Sequence, residues 1–312
     1  MAWILLAAGG QLINAVVAIL DKYIVSDEKI LPRPFVYAFY SCLIAGGWMF
    51  IYAISFLPGM QTVGMPHISN VEWPTIQVLG MSFLAAYTFF MALVSMYTGL
   101  KEADASDVMP VIGAISAATT LVLSIALLGG SFGQTTLAGI ALLIIGTLMV
   151  SQMRFTPTVM LHTFHSGLFF ALHYIAIKGL FMETSFDDGF FWSRLSLVLF
   201  ALSLLLVPAY ITKIKQQSQK TTARGGILVL ATKVLAGVAG FMLLKATDWG
   251  DVAIVQALDG LKFAFIILIS LVLGKFIPHT AGENDFSITT IIRKVFYVSI
   301  ICLGFTLLFI SL

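Results

Sequence analysis

Gln256, Asp259 and Lys262 stand three residues apart inside a long apolar stretch that runs from Asp251 to Leu273. On a helix, that spacing sets all three on one face. Lys233 lies in the middle of the preceding apolar stretch. A charge at the centre of a bilayer costs about 2.5–3.5 kcal/mol on insertion scales, so charges at this depth mark a polar cavity or a paired network. One carboxylate and two ammoniums leave positive charge in excess, which can hold a carboxylate or phosphate on a solute. The competing reading is structural: Asp259 neutralises Lys262, and Lys233 snorkels to the interface.

Other polar residues are buried in apolar sequence. Gln11, Asn14 and Asp21 form one stripe of the first stretch. Gln11 and Asn14 either line a cavity or bond across helices, the latter worth about 0.6 kcal/mol on average. Lys22 ends that stretch and recurs as Lys178; interfacial anchoring is the expected role of both. His162, His165 and His173 share a helical face with Phe169. Histidine titrates near neutrality, so His173 joins Asp21 and Asp259 as a proton-coupling candidate, against ordinary interhelical bonding. No cysteine or carboxylate accompanies the histidines at ligand spacing, so no metal is expected. Tyr174 lies deep enough to complete the solute-binding candidates: Gln11, Asn14, Tyr174, Lys233, Gln256, Asp259 and Lys262. Arg194 is expected to pair with Asp187 or Asp188 at an interface. Tyr87, Tyr97 and Trp192 read as belt or packing residues, and Pro110 as the site of a hinge or unwound turn.

These residues need a framework of membrane helices. The chain has 312 residues, 59% hydrophobic and 10% charged, where a soluble domain carries roughly 25% charged residues. So much apolar surface must face lipid. Net charge is +2, which gives no argument for nucleic acid. Cys42 and Cys302 both lie in apolar runs and read as small buried hydrophobes. Ten apolar runs separate, near 3–23, 35–57, 75–98, 106–128, 135–153, 159–180, 189–211, 226–244, 251–273 and 291–311. A span needs about 20 residues. Backbone groups in lipid must be satisfied within the segment, so the runs are helices. The fold class expected is all-α, with ten transmembrane helices.

The chain also repeats itself. A shift of 156 sets Asp21-Lys22 on Ile177-Lys178, Phe35 on Phe191 and Ala45 on Ala201. A shift of 144 sets Lys101, Asp104 and Asp107 on Lys245, Asp248 and Asp251, and Gly130 on Gly274. Two five-helix halves follow, 1–155 and 156–312. An odd number of spans per half inverts the second half in the membrane, an arrangement that sets a solute site near the midplane between the halves. Lysine and arginine fall twelve to one face (Lys22, Arg33 and Lys213 among them) and two to the other, Lys178 and Lys245. The positive-inside rule then places both termini outside, in the cytoplasmic membrane of a prokaryote. Gly139 and Gly146, two turns apart, offer a face for a homodimer.

The chain resembles the EamA-like, ten-helix branch of the drug/metabolite transporter superfamily. The carrying residues run from Lys101-Glu102-Ala103-Asp104 through Met109-Pro110-Val111 to Leu127-Leu128-Gly129, then Gln134, Gly139 and Leu143-Ile144-Ile145-Gly146. The second half echoes them in Asp248 to Val252, Leu273-Gly274 and Gly304. The resemblance implies a central cavity among helices one, three, four, six, eight and nine, with five and ten at the periphery. The family's glutamate after Leu-Leu-Gly is Gly130 here, and its second-half counterpart is Lys275, so any role of that glutamate does not carry over. Described members of the family keep both termini in the cytoplasm, the reverse of the charge count here.

The function expected is secondary transport of a small polar solute, anionic or zwitterionic, by alternating access, with proton coupling as an option. No catalytic residue and no cofactor is implied. The alternative is an intramembrane enzyme or a light- or ligand-responsive membrane protein; no HExxH, GxSxG or paired intramembrane aspartate motif supports the enzyme.

Overall fold

The computed structural model describes residues 2–57, 65–103, 105–151, 156–273 and 288–311. Asp104, Gly274 and Lys275, named in the sequence matches above, lie outside the described residues. The described residues form helices throughout, and eight of these are long and apolar enough to cross a membrane. They are α1 (Ala2–Ser26); α2 (Pro34–Gly47), which continues through a tight turn at Trp48–Phe50 into α3 (Ile51–Ile54); α4 (Ile76–Glu102); α5 (Ala105–Leu128); α7 (Pro157–Glu183); α8 (Phe186–Ser203); α10 (Ala223–Trp249); and the pair α11 (Val252–Ala257) and α12 (Gly260–Leu273). Two shorter apolar helical stretches, α6 (Gln134–Val150) and Val295–Ile310 of α13 (Ile288–Ser311), bring the apolar helical segments to the ten read from the sequence. The chain is an integral multi-pass membrane protein.

Local chemistry sets the helix ends. Thr75, Thr156, Ser185 and Thr222 accept hydrogen bonds from the first-turn amides of α4, α7, α8 and α10, the usual relief for donors that have no partner in the helix. α2 and α7 open on proline, as does α9 (Pro208–Lys220); proline loses nothing there, because that N–H would be unpaired anyway. α5 stops where Gly129 turns to φ +70, a left-handed conformation that glycine adopts without a Cβ clash.

Three sequence expectations change. The seventh span does not run to 211. It ends in a tight turn at Leu204–Leu206, and α9 follows as a separate helix rich in lysine and glutamine. A proline with a polar tail cannot continue a lipid-facing helix. The Arg33 guanidinium bonds the Lys213 carbonyl at 3.3 Å, and the Thr221 hydroxyl bonds the Ile30 carbonyl at 2.7 Å. α9 is therefore docked on the loop between the first two spans. The unwound turn at Pro110 is also absent: α5 is continuous, with proline near its start. Cys42 is buried, but Cys302 is exposed.

The packing exchanges the two halves. α1 packs on α10, and α7 packs on α4; α5 meets α7, and α12 meets α1; α4 meets α8, and α10 meets α2. Each of these contacts joins a span of one half to a span of the other, and each has a partner in which the roles of the halves are swapped. α2 on α8, α5 on α11 and α6 on α13 pair corresponding spans directly. Gly139 and Gly146 belong to this last contact: a Cβ on Gly139 would come within 3.1 Å of the Gly304 carbonyl, and one on Gly146 within 2.9 Å of Ile301. Those glycines seat the last helix of their own chain and are not a surface for a second copy.

Candidate functional site

Between the halves lies a cavity of about 180 Å³. α1, α4, α5, α7, α10 and the α11–α12 span line it, as the family resemblance implies, and α6 and α13 stay outside. The second and seventh spans line it as well, through Ser41, Trp48, Phe190 and Arg194.

The ninth span carries the main polar group. It is broken: α11 ends at Ala257 and α12 begins at Gly260, with Leu258 and Asp259 in the turn between them. The Asp259 amide bonds the Gln256 carbonyl at 3.0 Å, and the Lys262 amide bonds the Asp259 carbonyl at 3.1 Å, each reaching back three residues. Such tightened backbone at membrane depth is tolerated where it is buried in protein or lines a cavity. Two glycines make room for it. A Cβ on Gly260 would come within 2.5 Å of the Thr147 hydroxyl, and one on Gly113 within 2.6 Å of Asp259 Oδ2. Lys262 Nζ donates to both Asp259 oxygens, at 2.8 and 2.9 Å. Gln256 accepts from the Ser116 hydroxyl at 3.0 Å, which ties the span to α5.

The second charged group joins α1 to α10. Lys233 Nζ lies 2.7 Å from Asp21 Oδ1 and 2.8 Å from the Tyr97 hydroxyl, over the face of the Tyr37 ring. The Tyr37 hydroxyl donates to the same Asp21 oxygen, and the Ser41 hydroxyl lies 3.2 Å from that of Tyr97. Lys233 does not snorkel, and Asp21 and Tyr97 are buried inside the bundle with it. A buried ion pair holds only when further hydrogen bonds fill its remaining valences, and the two tyrosines and Ser41 supply them.

The other candidates divide. Asn14, His173 and Tyr174 line the same cavity. His173 Nδ1–H donates to the Ala85 carbonyl at 2.8 Å, an interhelical bond between α7 and α4. Gln11 is buried behind Asn14, 3.5 Å from its amide, and is not part of the lining. His165 is exposed, and no cluster of metal-ligating residues occurs among the described residues. Lys22 Nζ donates to the Leu100 and Ala103 carbonyls at 2.7 and 2.8 Å, closing the end of α4. Lys178 does the same for α10, through the Thr247 and Gly250 carbonyls at 2.9 Å each. Both lysines hold helix ends, where a cation complements the helix dipole.

Sequence reasoning missed Arg194. It lies eight residues inside α8, about 12 Å along the axis at 1.5 Å per residue. Asp187 and Asp188 do not meet it. Asp187 accepts from the His67 amide and the Asn70 side chain at 3.1 and 2.7 Å; Asp188 accepts from the Glu72 amide at 2.6 Å and the Thr184 hydroxyl at 2.7 Å. Arg194 is 8% exposed, lines the cavity and makes no ion pair among the described residues. Its depth from the true helix start was the signal available. The cavity thus holds two carboxylates against three cations. The positive excess expected from two lysines is present, but its source is an arginine.

The EamA-like transporter family model matches residues 1–152. A solved chain described as "Crystal structure of protein" is similar in fold, with a TM-score of 0.65 and 15% identity, covering 100% of this chain and 99% of its own length. The comparison with curated proteins finds no match. Residues 1–152, just under half of the chain, are thus similar to the EamA-like transporter family, whose members are membrane transporters of the drug/metabolite transporter superfamily.

Proposed function

We propose that the protein is a secondary transporter that moves a small polar metabolite, anionic or zwitterionic, by alternating access between the halves 1–155 and 156–312. The observation that carries this reading is the polar cavity between the halves, with Asp259 and Lys262 on a broken span. Broken spans with midplane sites are a recurring transporter device, because freed backbone groups and side chains can bind a solute there. The exchanged contacts of the halves support a rocking motion, in which each half alternates between two equivalent packings.

Proton coupling, if the cycle uses it, runs through Asp259. Its partner is a flexible lysine on the same span, and its side chain is 17% exposed. Asp21 is held by Lys233 and Tyr37, and His173 by the Ala85 carbonyl. The lysine and arginine distribution supports termini outside the cytoplasmic membrane of a prokaryote.

A thermal-shift screen of metabolites on purified protein identifies the solute; flux into proteoliposomes, with and without a pH gradient, then tests the function. Saturable flux of the stabilising solute is expected. A solute that binds and never crosses contradicts the carrier.

A further inference from the structure

We propose that Arg194 is the anchor of an anion subsite in the central cavity, taking the carboxylate of a small monocarboxylic acid whose apolar body lies on the cavity's aromatic wall. This deepens the carrier reading of the same cavity and rests on it.

The case begins with what Arg194 lacks. The carboxylates that face the cavity are committed: Asp21 to Lys233 and Tyr37, and Asp259 to Lys262 through both oxygens. The carboxylates of its own helix, Asp187 and Asp188, are bonded to residues 67–72 and to Thr184. Arg194 Nε is buried and has no hydrogen-bond partner. The guanidinium carbon sits 5.3 Å from the centre of the Phe190 ring, which steadies the side chain without neutralising it. A guanidinium carries five donors in a fixed fork that matches a carboxylate with two parallel bonds. Buried in a cavity wall with its charge uncompensated, that fork is an anion receptor.

The rest of the cavity narrows the class. Two carboxylates and three cations leave one positive charge, which matches a monoanion. A phosphate monoester carries about −1.5 to −2 at neutral pH and would leave the cavity negative. Trp48, Phe89, Phe190 and Phe241 line the cavity with Arg194, and aromatic walls favour a flat apolar body.

Calorimetric titration of the full chain in detergent, with phenylacetate and with phenylacetamide as probes, tests the subsite; the two share a shape and differ in charge. Wild type is expected to bind the acid at least tenfold more tightly than the amide. Arg194→Gln is expected to lose that tenfold preference, with Arg194→Lys in between. Equal affinity for the two probes, no binding of the acid, or wild-type acid binding in Arg194→Gln overturns the subsite. Thermal unfolding without ligand is the second readout. Arg194→Gln is expected to melt at or above the wild-type temperature, because it removes an unpaired buried cation. A lower melting temperature means that the guanidinium is held by the protein itself, and overturns the proposal. Acid binding that depends on Arg194, with no flux of the acid in proteoliposomes, sustains the subsite and defeats the carrier. Flux of other solutes without acid binding does the reverse.

Discussion

Lys233 and Asp21 meet at 2.7 Å across 212 residues of sequence, and their pair fastens the first span of one half to the eighth span of the chain. Both side chains are nearly inaccessible. Removing one partner of a buried pair leaves an uncompensated charge and costs about 3–5 kcal/mol, whereas replacing both with apolar groups can be neutral. Asp21→Asn and Lys233→Met are therefore each expected to lower the melting temperature in detergent sharply, and Asp21→Leu/Lys233→Met to recover most of the loss. A double variant that melts as low as the sum of the singles contradicts this account of the pair.

The Asp259–Lys262 pair has a different expected phenotype. It sits in a turn of the broken span, has more exposure and faces the cavity. Asp259→Asn and Lys262→Gln are expected to reduce solute flux at least tenfold, corresponding to about 1.4 kcal/mol or more, while membrane insertion and yield stay near wild type. Wild-type flux in both variants rejects this group as the solute site.

Gly113 makes room for the Asp259 carboxylate. Adding one methyl to a close-packed contact costs about 1–3 kcal/mol. Gly113→Ala is expected to reproduce the transport defect of Asp259→Asn without touching a charge, whereas Gly47→Ala, where the added Cβ meets nothing within 4 Å, is expected to be silent. Equal flux in the two alanine variants contradicts the close approach.

Lys22 and Lys178 correspond under a shift of 156 residues and close the ends of α4 and α10. Hydrogen bonds from a charged donor are worth about 1.5–3 kcal/mol each. Lys22→Met and Lys178→Met are both expected to lower the melting temperature, by similar amounts if the halves are equivalent. Stability unchanged in both variants assigns the lysines to interfacial anchoring instead.

The sequence revealed what a bilayer demands of any chain. Ten apolar runs and the charges that lipid disfavours could be read without coordinates, because each rule is local. Pairing could not. Asp21 could be read as a candidate titratable group but not as the partner of Lys233, which is 212 residues away. Arg194 looked paired because Asp187 and Asp188 are close in sequence, yet helix geometry and the 67–72 segment turn them away. Asp259-Gly260 is a turn dipeptide, but an apolar run on either side made the span look continuous. The polar residues of the cavity were legible as a set, and the partner of each was not.

The central claim is that the polar cavity opens to each side of the membrane in turn. Gly240 lines the cavity, and a side chain there would meet nothing within 4 Å. Gly240→Cys, in a Cys42→Ala/Cys302→Ala background, places one thiol in the cavity. A membrane-impermeant thiol reagent is expected to label it in vesicles of either orientation. Labelling from neither face would mean that the charged pairs lie sealed inside the bundle, and would contradict transport by this route.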